Sequence, residues 1–173
     1  MSLKPPVSEK DHLQGDKNAA IELVEYGDYQ CPHCGRAYPI IKEIQKKLGS
    51  KLKFVFRNFP LAEAHPNATN AAIASEAAAE QGKFWEMHDS LFEHQNSLRD
   101  SSLLKYAGQI GLDITKFEKD FDRQDIQDKV ADDFESGVRS GVNGTPTFFI
   151  NGKKYNDSWD EDILLGYLES LIK

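Results

Sequence analysis

No stretch of this chain approaches the roughly 18 consecutive apolar residues of a membrane-spanning helix. The opening Met1-Ser2-Leu3-Lys4-Pro5-Pro6 also lacks the roughly 7 to 15 apolar residues of a secretory signal. As written, the chain is expected in the cytoplasm; a natural leader replaced by Met-Ser-Leu would move it to the periplasm or another extracytoplasmic space. Basic residues are outnumbered, 21 against 28 acidic, for a net charge of −7. Nucleic acid and anionic membrane surfaces, which need a basic face, are disfavoured as partners. Cysteine is scarcer still: Cys31 and Cys34 are the only two in 173 residues. A disulfide-stapled secreted scaffold is thereby excluded. A closed zinc site is disfavoured as well, because no second C-x-x-C and no H-x-x-x-H accompanies the pair. Of the histidines (His12, His33, His65, His88 and His94), only His88 and His94 are neighbours in sequence, at a spacing that does not suit one helix face. No metal and no organic cofactor is expected.

What is present converges on Tyr26-Gly27-Asp28-Tyr29-Gln30-Cys31-Pro32-His33-Cys34-Gly35. The run Ile21 to Tyr26 alternates like a strand, and a helical pattern follows it to about Leu48, so Cys31 is predicted at a helix N-terminus. Unpaired N–H groups and about half a positive charge gather there, and both favour an anion. A thiolate is an anion, and C-x-x-C thiols in this setting have pKa values of roughly 3.5 to 7.5 instead of about 8.5. Positions i and i+3 share a helix face, so Cys34 can close a disulfide with Cys31 or resolve one that Cys31 has captured. Pro32 at the first helical position gives up no hydrogen bond and fixes the turn between the sulfurs. His33, between the thiols, could hold the thiolate by charge or hydrogen bond and make the pair a better oxidant. Glu25 shares a strand face with Ile21 and Leu23 and is expected to point into the covered side of the sheet. A carboxyl buried there has a raised pKa and could exchange a proton with Cys34.

Together with the downstream Gly144-Thr145-Pro146-Thr147-Phe148-Phe149-Ile150-Asn151-Gly152, the Cys31-Pro32-His33-Cys34 stretch resembles the DsbA-like branch of the thioredoxin superfamily, over nearly the whole chain. The resemblance implies an α/β thioredoxin fold with an all-helical insertion. It also implies a thiol:disulfide oxidoreductase acting on protein thiols and disulfides, with a redox partner that the sequence does not identify; a monomer is expected. By resemblance, Thr145–Pro146 is cis and lies against the cysteines, and Gly144, Thr145 and Pro146, with Pro32, position substrate. An acidic residue six places before the first cysteine is often found in this fold, and Glu25 matches it. The alternative function is a non-catalytic thioredoxin-like docking module, or a soluble appendage of a membrane protein such as a sodium/proton antiporter. The glutathione-dependent transferase and isomerase branch fits less well, because Cys34 stands where that branch usually has no second cysteine.

Along the chain, residues 1–17 read as a loose lead-in, residues 18–62 and 141–173 as the thioredoxin-fold domain, and residues 63–140 as the helical insertion. Pro39 predicts a kink in the first helix, which stops at Gly49. Lys51 to Phe59 predicts a strand that completes a parallel βαβ unit. The following loop brings Arg57 and His65 to the border of the active face. Five helical patterns follow, the third ending at Gly111. The last packs Ile126, Val130, Phe134 and Val138, and His88 sits at the edge of another. Asn151-Gly152 predicts a hairpin. Ser158-Trp159-Asp160-Glu161 predicts a capping box opening a final helix, with Ile163, Leu164, Tyr167, Leu168 and Leu171 facing the sheet.

Overall fold

The computed structural model describes residues 1–172. Its centre is β2 (Ile21–Gly27), joined through α1 (Pro32–Leu48) and a short 3-10 turn to the parallel strand β3 (Leu52–Asn58). Five helices follow: α2 (Ala68–Ala79), α3 (Phe84–Glu93), α4 (Asp100–Gln109), α5 (Ile114–Phe121) and α6 (Gln124–Arg139). The chain then returns as β4 (Thr147–Ile150), antiparallel to β2, and β5 (Lys153–Tyr155), before α7 (Glu161–Ser170). Asn151 and Gly152 both take positive φ, 49° and 83°, as a tight hairpin of this hand requires.

The first seventeen residues are built in, not loose. His12–Gly15 forms a further strand, β1, antiparallel to β3, which gives the sheet order β1-β3-β2-β4-β5. Leu3 is buried and Ser2 bridges to Lys153 on the opposite edge. A four-residue strand with one aliphatic side chain carries too little alternation to be read from sequence.

Strand alternation divides the core. Ile21, Leu23, Phe54, Phe56, Phe148 and Ile150 face α1, α3 and α7, whereas Val24, Tyr26, Val55 and Phe149 pack on the other side with Leu3, Phe59 and Phe134. Burial of both faces by helices is what a central parallel pair demands. The α6 stripe departs from expectation. Val138 is 56% exposed, and Asp133, Ser136 and Gly137 are buried in its place. The helix turns its last two turns inward because Asp133 accepts the Asn58 N–H at 3.0 Å and Ser136 Oγ meets the Tyr26 hydroxyl at 2.7 Å. α7 is corrected too. Only Leu164 and Leu168 are buried, while Ile163, Tyr167 and Leu171 are exposed. Its predicted capping box does not form, since Ser158 Oγ accepts the Asp160 N–H and the helix opens at Glu161 without a side-chain cap.

Candidate active site

Asp28, between β2 and α1, organises the turn that carries the cysteines. One carboxylate oxygen accepts the N–H of Gln30 at 2.7 Å and of Cys31 at 3.2 Å. The other accepts the Leu61 N–H at 2.9 Å and pairs with His65 Nδ1 at 2.8 Å. This buried side chain thus ties the turn to the loop after β3. His65 borders the active turn as expected, but Arg57 does not. Its guanidinium reaches to the far face of the sheet, donating to Asp11 at 2.8 and 2.9 Å and to the Tyr26 hydroxyl at 2.9 Å.

Cys31 stands at the N-cap of α1 with extended backbone (φ −71°, ψ 123°) and Pro32 follows it. Both cysteines are free thiols and both are buried. The Cys31 thiol lies 3.7 Å from the Thr145 carbonyl oxygen, which it can donate to, and Cys34 Sγ accepts the Asp28 N–H at 3.5 Å. The Cys31 pKa is lowered to about 5, first by a hydrogen bond from the Cys34 thiol. Burial opposes this, and hydrogen bonds from the Thr145 side chain and from the Cys34 and His33 backbone N–H groups add to it. The Thr145 hydroxyl oxygen is buried and has no hydrogen-bond partner among the described residues, so its O–H is free to turn toward a charged sulfur. Burial pushes the Cys34 thiol well up, and the charges of Glu25 and Cys31 add to that.

Glu25 is buried on the face expected of it, and one of its oxygens has no hydrogen-bond partner among the described residues. Desolvation first, and the charge of Cys31 second, raise its carboxyl to about 8. It therefore holds a proton at neutral pH. The imidazole of His33 is exposed and turned toward Arg36, with Nδ1 3.2 Å from the guanidinium. Its contribution to the thiolate comes through its backbone N–H. The Thr145–Pro146 peptide is cis, and Gly144, Thr145 and Pro146 are all half-buried beside Cys31.

Two neighbours of the turn carried no motif. Gln95, in the loop between α3 and α4, donates from Nε2 to the Tyr29 and Cys31 carbonyls, each at 2.9 Å. A Cβ on Gly35 would collide with that same amide, so the missing side chain at position 35 makes room for Gln95. His88 is fully buried instead of lying at a stripe's edge. It meets the Tyr29 hydroxyl at 2.9 Å among the rings of Phe56, Phe84 and Phe92, and burial holds its pKa well below the ordinary value, hence neutral. Among the described residues no cluster of three or more metal-ligating side chains occurs, and no helix is long and apolar enough to cross a membrane.

The fold that positions these residues is shared with known proteins. The chain belongs to the thioredoxin family, whose model matches residues 7–170. Within it the fold is that of the DsbA-like thiol–disulfide oxidoreductases, with a helical insertion. Oxidised BdbD from Bacillus subtilis superposes with a TM-score of 0.85 at 25% identity, over 96% of this chain and 95% of that one. The thiol-disulfide exchange protein alpha-DsbA2 from Wolbachia pipientis superposes with a TM-score of 0.83 at 23% identity, over 95% and 88%. In sequence, a Mycobacterium protein (strain KMS) named Na(+)/H(+) antiporter NhaA 1 is 45% identical over 97% of this chain, which spans only 28% of that relative's length.

Proposed function

We propose that the protein exchanges disulfides with protein thiols through Cys31 and Cys34, and that its net direction is disulfide donation. The observation that carries this reading is the placement of Cys31 at the N-cap of α1 with its thiol against the cis Thr145–Pro146 turn: a thiolate stabilised there in the reduced protein is a good leaving group and makes the dithiol the favoured form. In the oxidised protein a substrate thiolate attacks Cys31 Sγ. The Cys31–Cys34 bond breaks, and a Cys31–substrate disulfide forms. Cys34 leaves with the electron pair and takes up a proton, for which the protonated, unpartnered Glu25 carboxyl is the buried source. A second substrate thiolate then attacks the captured substrate sulfur, and Cys31 departs as the thiolate. The substrate leaves as a disulfide, and the protein holds the two electrons and one proton at Cys34.

Thr145 supports this path through its hydroxyl, and the half-buried Gly144-Thr145-Pro146 backbone can pair with an extended substrate segment. Pro32 and the exposed His33 flank the sulfur on the solvent side. Residues 63–140 act as a unit that frames access to Cys31, with residues 18–62 and 141–173 as its base. The exchange is tested by incubating a reduced Cys34→Ser variant with candidate proteins in their disulfide form, whose S–S bond the Cys31 thiolate attacks. Mixed disulfides through Cys31 are expected to accumulate; none forming, while the fold is intact by circular dichroism, would overturn the reading.

The match to part of proteins named as antiporters favours a second reading, a thioredoxin-like module attached to a transporter. Attachment names no chemistry, and a passive module has no use for an acidic thiol. The two readings separate at Cys31, which would titrate near about 8.5 in a module without exchange activity.

A further inference from the structure

A groove of about 770 Å³ opens beside the active turn, with Pro32 and Gln95 in its wall. Its remaining lining is almost wholly polar: Asn67, Asn96, Ser97 and Ser102 offer amides and hydroxyls, and Leu98, itself buried, is the one large aliphatic residue. In a chain of net charge −7, no carboxylate lines it. The one side chain of fixed charge in its lining is a cation, Arg99. His65 is engaged by the buried Asp28, whereas the exposed Arg99 is in no ion pair among the described residues. The carboxylate adjacent in sequence, Asp100, is turned away: it accepts from Asn70 Nδ2 at 3.0 Å and lines a different depression with Leu103 and Leu104. Asn67 and Arg99 are the N-cap residues of α2 and α4, so the positive ends of two helices border the same space.

We propose that this groove receives the polypeptide flanking the substrate cysteine, and that it selects a polar segment carrying a carboxylate, which pairs with Arg99. The inference rests on the exchange reading and names its substrate class. An apolar segment would strip water from the amides and hydroxyls of the lining without replacing those hydrogen bonds, which costs more than its own burial returns. A basic segment would meet Arg99 and the helix ends with like charge.

The test uses the full chain in its oxidised form and three peptides, each with one cysteine flanked by serine with aspartate, serine with lysine, or leucine. The rate at which each thiol reduces the Cys31–Cys34 disulfide is measured in the wild-type protein and in Arg99→Ala, with dithiothreitol as the reference reductant. Comparing the two proteins cancels the intrinsic reactivity of each peptide. The aspartate-over-lysine rate ratio is expected to fall about threefold in Arg99→Ala, the size of a partly exposed ion pair. The dithiothreitol rate should stay unchanged, and the wild-type ratio should shrink as salt is added. An unchanged ratio, or the leucine peptide being fastest relative to dithiothreitol, would overturn the groove assignment while leaving exchange standing. No reduction by any thiol would overturn both.

Discussion

A buried hydroxyl and a neighbouring thiol set much of the acidity of Cys31, and each can be removed singly. Thr145→Val keeps the shape and deletes the donor. A hydrogen bond to a charged group contributes about 1.5–3 kcal/mol, so the Cys31 pKa should rise by about 1 to 2 units, measured by alkylation rate against pH. Cys34→Ala should raise it further than Cys34→Ser, which retains an O–H donor. Glu25 gives the opposite pH signature. Its folded pKa of about 8 lies above the ordinary value of 4.5, so its contribution to stability is complete below 4.5 and is lost as pH rises through 8. Glu25→Gln should therefore gain on the wild type by about 1.4 kcal/mol per pH unit within that window. Urea unfolding of the reduced proteins at pH 5 and pH 8 checks this, and equal differences at both would contradict it. The residues named from sequence were those whose chemistry is tied to a local pattern: Cys31, Cys34 and Pro32 by spacing, Glu25 by strand parity. Asp28 and Gln95 escaped because most of their partners are backbone groups, in Gln95's case more than sixty positions away, and a polar residue in a loop has no periodicity to betray it.

At the scale of elements, buried polar contacts join the pieces that hydrophobic patterning leaves independent. Asp11 ahead of β1, Arg57 on β3, Tyr26 on β2 and Ser136 on α6 form one chain of hydrogen bonds. His12, Glu76, Asn58 and Asp133 tie β1, α2, β3 and α6 in a second. Arg57→Ala leaves the Asp11 carboxylate buried without its cation and should cost about 3–5 kcal/mol in urea unfolding. Because Arg57 lies on the face away from the thiols, the Cys31 titration should not move. These contacts also explain where sequence reading of the elements failed. The α6 pattern pointed to Val138, yet satisfied polar groups at Asp133 and Ser136 decided which face turned inward. In α7 an apolar stripe was wider than the sheet it covers, so three of its five residues stayed in solvent. The βαβ unit, the five-helix insertion and the Asn151-Gly152 hairpin were legible, since each has a period or a turn signal of its own.

For the whole molecule, acidity at one sulfur couples folding to redox state. The Cys31 pKa of about 5 lies below that of an unfolded thiol, so its stabilising effect is complete above the unfolded value and disappears as pH falls through 5. The oxidised protein has no such group. The reduced protein should therefore be the more stable form at pH 7, and its advantage in melting temperature should shrink steadily toward pH 5; an advantage that grows on acidification would contradict the linkage. The most direct measurement is the ultraviolet absorbance of the thiolate in the reduced wild-type protein as pH is raised from strongly acid to alkaline. One sulfur is predicted to ionise with a midpoint near 5 while the other stays protonated well above neutrality. Two thiols ionising together near the ordinary value of about 8.5 would contradict the account.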